Sequence, residues 1–181
     1  MFRYLNGTSD YKLQFGLQNP HGQKLQEFCD ADYAGDHVDR HSVSGQLYLL
    51  NGGVISWNSG KQRCVATSTT EAEYIALSEA SKQGQWIRTL IRELHRTDLL
   101  DESLATPIYS DNQGCIAIAK DPVGHRRTKH IDVRYQYIRQ LITHGKATIA
   151  YLPTEYMVAD ILTKPLPLVV FKRCIQGLLA V

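Results

Sequence analysis

The sequence predicts an α/β protein built on a five-stranded mixed sheet with helices on its faces. Three observations carry this reading. Three strand-like segments follow one another and contain a strong hairpin signal, a long amphipathic segment comes next, and the remainder alternates strand, helix, helix, strand, helix. At 181 residues the chain suits one domain with a single core.

Residues 1–22 are polar and glycine-containing and read as a linker or edge extension, leaving 23–181 for the folded unit. "KLQEFCDADYAGD" (24–36) alternates enough to be a strand. "GQLYLLNGGVISWNS" (45–59) reads as two more, joined at Asn51-Gly52-Gly53. "STTEAEYIALSEASKQGQWIRTLIRELH" (68–95) opens with Ser-x-x-Glu, a capping box, and holds Ile87, Leu90, Ile91 and Leu94 at helical spacing. Gly84 costs about 1 kcal/mol there relative to alanine without ending the helix. "TPIYSD" makes a fourth strand, "NQGCIAIAK" a helix that stops before Pro122, and "KHIDVRYQYIRQLITHG" a helix closed by Gly145. "KATIAYLP" is the fifth strand, "EYMVADILTK" the following helix, and "LVVFKRCIQGLLA" a further amphipathic one. There is no internal repeat and no low-complexity tract.

No apolar run approaches the roughly 18–20 residues that span a bilayer, and the N-terminus lacks a signal-peptide pattern. The expectation is a protein neither secreted nor inserted in a membrane. Cys29, Cys64, Cys115 and Cys174 lie far apart with no C-x-x-C pair and read as reduced core thiols. His37 and His41 are spaced i, i+4 but have no second ligand pair beside them, which argues against zinc. A net charge of +2 does not announce a nucleic-acid binder, yet Lys120, His125, Arg126, Arg127, Lys129, His130 and Arg134 crowd one segment.

Taken singly, the acids have ordinary explanations. Asp30 and Asp32 share one face of an apolar strand, where aspartate is disfavoured unless the strand ends there in solvent. Glu71 and Glu73 sit in the first turns of the long helix, where its dipole and a capping box both favour an acid. Asp111 stands at an N-cap position, and Asp160 can pair with Lys164 one turn on. As a set they say more. Acids on a first central strand, an early helix turn, a fourth strand tip and a late helix converge at one end of such a sheet if the first and fourth strands are neighbours. Convergent carboxylates stay ionised together only around cations, and hard oxygen donors select Mg²⁺ or Mn²⁺. Two such ions about 4 Å apart form a clamp for phosphodiester hydrolysis.

That order of acids resembles the ribonuclease H fold, in which three antiparallel strands are followed by two parallel ones. More closely, "DADYAGD", "SVSGQLYLLNGGVISWNSGKQ", "ATSTTEAEYIALSEA", "YSDNQGCIAIAKDPVGHRRTKHIDVRYQYIR" and "VADILTKPLP" resemble the ribonuclease H domain at the C-terminal end of copia-type LTR-retrotransposon polyproteins, in order from Arg3 to Phe171. "RYLNGT" (3–8) resembles the tail joining the reverse transcriptase to that domain. The resemblance implies an endonuclease that uses two Mg²⁺ ions, for which Mn²⁺ can substitute, to hydrolyse the RNA strand of RNA/DNA hybrids during reverse transcription. By motif position the catalytic and metal-binding acids are Asp30, Glu73, Asp111 and Asp160. Asp30 and Asp111 would hold both ions, Glu73 would orient one ion and approach the RNA 2′-hydroxyl, and Asp160 would complete the site for the water-activating ion.

Hybrids are gripped mainly through phosphates and read by groove shape and 2′-hydroxyls. Arg126, Arg127, Lys129, His130 and Arg134 would supply that grip. The implied partners are the hybrid and the reverse transcriptase domain of the same polyprotein, in the cytoplasm (a virus-like particle) or the nucleus. One departure stands out: cellular ribonucleases H usually carry a mobile histidine before the last catalytic helix, and "YLPTEYMVAD" has none. This implies slow activity, or reliance on an attached polymerase to hold substrate. Two other readings are a captured domain that binds nucleic acid or a protein without cutting, and an integrase or transposase relative. A pure binder has no need of four converging acids, and the latter class orders its acids differently.

Overall fold

The computed structural model describes residues 2–15, 25–120, 129–176 and 178–180. In chain order the elements are α1 (Phe2–Gly7), β1 (Lys12–Leu13), β2 (Leu25–Asp32), β3 (Val43–Leu50), β4 (Gly53–Lys61), α2 (Thr69–Glu93), β5 (Thr106–Ser110), α3 (Gln113–Lys120), α4 (Lys129–Thr143), β6 (Ala147–Tyr151), α5 (Leu168–Ile175) and β7 (Leu179–Ala180). Five strands form one sheet in the order β4-β3-β2-β5-β6. Its β4-β3-β2 portion is antiparallel, while β2-β5 and β5-β6 are parallel. This is the mixed sheet expected. Lys12 and Leu13, inside the stretch read as a linker or edge extension, pair with Ala180 and Leu179.

Local chemistry accounts for the joints. Asn51 and Gly52 both take positive φ and close the β3–β4 hairpin. Ser68 caps α2 by accepting a hydrogen bond from the Glu71 amide at 3.1 Å. Gly84 lies mid-helix because a Cβ there would run into the carboxylate of Glu27, which is buried in β2 beneath it. Gly145, at φ +63, ends the α4 region.

Since β2 lies at the centre, both of its faces are covered, and successive residues enter opposite cores. Cys29 joins Leu77, Ala80, Ile108, Cys115, Ile138 and Ile149 under α2, α3 and α4. Phe28 joins Leu47, Val54, Met157 and Leu178 on the other side. The cysteines are all free thiols, three buried and Cys64 half-buried. Among the described residues no helix is long and apolar enough to cross a membrane.

Two elements differ from expectation. "EYMVADILTK" is not an α-helix but two short 3-10 turns, Thr154–Tyr156 and Val158–Leu162. Pro165 disfavours the helical conformation at Lys164, and a segment this brief closes with i→i+3 bonds: Asp160 N to the Met157 carbonyl at 3.2 Å and Thr163 N to the Asp160 carbonyl at 3.1 Å. The last amphipathic helix stops at Ile175, and the chain then enters β7.

The second turn comes down on β3 at Gly45, which lies opposite Asp30 in the β2–β3 register. A Cβ at Gly45 would stand 2.7 Å from both the Ala159 carbonyl oxygen and Thr163 Cγ2, well inside contact distance. Gly45→Ala is therefore expected to destabilise the protein by about 1–3 kcal/mol, the usual cost of overpacking. Gly60→Ala, on the neighbouring strand with only an ordinary contact to Asn58, should be neutral or better. Urea unfolding of both variants checks this, and equal stability of the two would dissociate Gly45 from the turn.

Candidate metal centre

Strands β2 and β5 are parallel neighbours, with Glu27 beside Ile108 and Phe28 beside Tyr109, so their C-terminal ends emerge together. Asp30 lies near the end of β2 and is 2% exposed. Asp111 follows β5 directly. The early turns of α2 lie over this end and bring in Glu73, also buried. One carboxylate oxygen from each of Asp30, Glu73 and Asp111 lies within 4.8 Å of the others. Asp160, 3% exposed on the Val158–Leu162 turn, joins from the opposite face through a hydrogen bond shared with Asp30. All four acids singled out by the sequence thus come together.

The structure separates the ambiguous pairs by giving the ordinary roles to their neighbours. Asn112, not Asp111, caps α3: its Oδ1 accepts from the Cys115 amide at 2.8 Å. Glu71, not Glu73, serves the α2 N-terminus by accepting from the Thr67 amide at 2.7 Å. Asp32 ends β2 half-buried and leads into the turn at Gly35.

Three further side chains hold the acids. Thr163 Oγ1 donates to Asp30 Oδ2 at 2.7 Å. Lys164 Nζ lies 3.5 Å from the same oxygen and 3.3 Å from Asp160 Oδ2. Thr154 Oγ1 donates to Asp111 Oδ2 at 2.6 Å. Only Lys164 was visible in the sequence, through its i, i+4 spacing; Thr154 and Thr163 gave no signal.

Burial and neighbouring charge shift Glu73 and Asp160 towards protonation. Burial, then the charges of Asp30 and Asp111, push Glu73 up to about 9. Burial and Asp30 raise Asp160, and Lys164 opposes them. Glu73 Oε2 and Asp160 Oδ1 are buried without a hydrogen-bond partner. Carboxylate oxygens clustered, desolvated and partly orphaned fit a hard divalent cation.

The basic segment is less visible. His125, Arg126 and Arg127 lie outside the described residues. Lys129 and His130 open α4, with only their backbone described. Arg134, one turn on, is half-buried and donates from Nη1 to Cys64 Sγ at 3.7 Å. On another loop the His41 ring donates from Nδ1 to the Gln62 carbonyl at 2.6 Å.

No family model matches the chain. It is 40% identical over 176 residues to the retrovirus-related Pol polyprotein from transposon TNT 1-94 of Nicotiana tabacum, which covers 96% of this chain and 12% of that polyprotein. It is 38% identical over 173 residues to the corresponding polyprotein from transposon RE2 of Arabidopsis thaliana, again 96% of this chain and 12% of the relative. The chain thus spans a small part of the curated relatives it matches. The crystal structure of LC11-RNase H1 in complex with an RNA/DNA hybrid superposes with a TM-score of 0.53 at 14% identity, covering 77% of this chain and 94% of that one. That likeness shows the fold.

The metal-free acid cluster has a pH signature. Glu73 titrates near 9 when folded and near 4.5 when unfolded, so between those values the native state holds a proton that the unfolded state has released. Stability without metal should therefore fall as pH rises from about 5 to about 9. Thermal midpoints in EDTA across this range should show that slope in the wild type and a shallower one in Glu73→Gln; identical slopes would place Glu73 elsewhere.

Proposed function

Because this chain belongs with the retrovirus-related Pol polyproteins of copia-type transposons, matching one segment of them in a ribonuclease H fold, we propose that it hydrolyses the RNA strand of RNA/DNA hybrids during reverse transcription. The observation that carries this reading is the convergence of Asp30, Glu73 and Asp111, with Asp160 alongside, at the C-terminal end of two adjacent strands.

Asp30 and Asp111 would hold the two Mg²⁺ ions most directly, Glu73 would orient one of them, and Asp160 would complete the site for the water-activating ion. When bound, the ions supply Lewis-acid activation of water and charge neutralisation at the scissile phosphate. The chain's own residues position the ligands. Thr163 fixes the Asp30 carboxylate and Thr154 that of Asp111, so the oxygens are oriented before substrate arrives. Glu73 would also approach the RNA 2′-hydroxyl, the group that tells RNA from DNA. The products would carry 3′-hydroxyl and 5′-phosphate ends. The start of α4 and the basic residues before it would grip the hybrid's phosphates, and the reverse transcriptase part of the same polyprotein would present it.

The purified chain should cut the RNA of a labelled hybrid in Mg²⁺ or Mn²⁺, not in EDTA, and should leave duplex DNA intact. Asp30→Asn, Glu73→Gln, Asp111→Asn and Asp160→Asn should each lower cleavage on the order of 10²–10³-fold, as expected on loss of a group that holds developing charge. Asp32→Asn and Glu71→Gln should retain it. Equal cutting of duplex DNA, or a dead Asp32→Asn beside an active Asp30→Asn, would refute the assignment.

Replacing Arg126, Arg127 and Lys129 together by alanine should weaken hybrid binding and reduce its salt slope by up to about one unit per lost phosphate contact. Binding measured from low to physiological salt tests this. An unchanged slope would assign the three residues to solvent.

A further inference from the structure

Lys164 is more than the partner of a surface helical pair. A solvated i, i+4 pair contributes only a few tenths of a kcal/mol. Here one partner, Asp30, lies 134 residues away on the central strand, and both carboxylates are almost fully buried. The lysine is held in place from several directions. Thr163, immediately before it, donates to Asp30 and packs against Gly45. The amides of Thr163 and Lys164 reach the Asp160 carbonyl at 3.1 and 3.4 Å. Pro165 restricts its backbone from the other side. The side chain is nevertheless 34% exposed, so its flexible stem has a route to water.

We propose that Lys164 is a resident counter-cation that occupies the Asp30–Asp160 side of the centre and competes there with the second divalent ion. Resting on the metal-dependent reading of the site, this makes the two ions unequal. The first enters among Asp30, Glu73 and Asp111, where, among the described residues, no lysine pairs with Glu73 or Asp111. The second binds only as the ammonium leaves Asp30 and Asp160, because a unit positive charge within 3.5 Å of both carboxylates repels an incoming dication. In exchange, Lys164 neutralises buried charge when metal is scarce and allows the site to form before metal binds. Full activity then requires Mg²⁺ well beyond the level that fills the first position.

Calorimetric titration of the full chain with Mn²⁺, together with thermal midpoints in EDTA, tests this on the wild type, Lys164→Met and Lys164→Arg. The wild type should bind one tight and one weak equivalent. Lys164→Met should tighten the weak one by on the order of tenfold, an ordinary strength for coupling between sites, leave the tight one within about twofold, and lower the midpoint in EDTA. Lys164→Arg should keep the wild-type pattern. If Lys164→Met does not fold without metal, Lys164→Gln, which retains a donor but no charge, carries the titration. An unchanged weak equivalent in the neutral variants, or an unshifted midpoint in EDTA, overturns the proposal. Hybrid cleavage is scored separately: a wild type that shows the Lys164-dependent binding pattern but cuts nothing removes the nuclease reading and leaves the competition standing.

Discussion

Four carboxylates held at one end of a sheet repel one another, and the surrounding structure is arranged about that repulsion. Asp30 and Asp160 are buried to within a few per cent, and Glu73 scarcely less. Charges so placed cost several kcal/mol each unless they are neutralised or hydrogen-bonded. The protein meets this by three local means. Glu73 is displaced towards its protonated form, Thr163 and Thr154 donate to Asp30 and Asp111, and Lys164 places an ammonium between Asp30 and Asp160. None of these removes the orphaned oxygens on Glu73 and Asp160. Unpartnered buried acceptors that remain after such provision are consistent with a site that takes a cation.

The parallel pairing of β2 with β5 makes the convergence possible, and α2 and α4 make it rigid. Ala72, Ala76 and Ala80 are fully buried, so α2 can lie close on the sheet. Tyr74, the neighbour of Glu73, packs against Tyr135 of α4 with ring centroids 4.2 Å apart and the rings tilted by 41°. One turn of α2 therefore carries an acid of the candidate metal centre and the contact that seats α4. The opening turn of α4, with Lys129 and His130, is thereby referenced to the acids through packed aromatics. On the proposed reading, a phosphate-gripping segment and a cleavage site acting on one rigid hybrid would need that fixed relation.

Much of this was legible in the sequence, and the rest failed for identifiable reasons. The hairpin at Asn51-Gly52, the capped long helix and the alternation after it are local signals that local chemistry honours. The acids could be listed but not sorted, because a capping glutamate and a metal-binding one look alike in the first turns of a helix. Asn112 and Glu71 take the cap hydrogen bonds, leaving Asp111 and Glu73 in the acid cluster, and that choice depends on tertiary placement. Gly45 and Thr163 carried no pattern, since their importance arises only where one strand meets a turn more than a hundred residues further along the chain. His125, Arg126 and Arg127, easily seen as a charge cluster, lie outside the described residues, so their role rests on charge alone.

The misread helix around Asp160 shows how far a local rule reaches. Helical spacing placed Lys164 one turn from Asp160, and that pair exists at 3.3 Å. The backbone beneath it is nonetheless a 3-10 turn, in which residues three apart eclipse one another. Asp160 and Thr163 are three apart, and both reach Asp30. Such a turn is short enough to end before Pro165 and flat enough to rest on Gly45. A bulkier residue opposite Asp30 would lift the turn and separate the two aspartates. The missing side chain at Gly45 is therefore as much a part of the acid cluster as the carboxylates: it sets the distance at which Asp160 can answer Asp30 across the sheet.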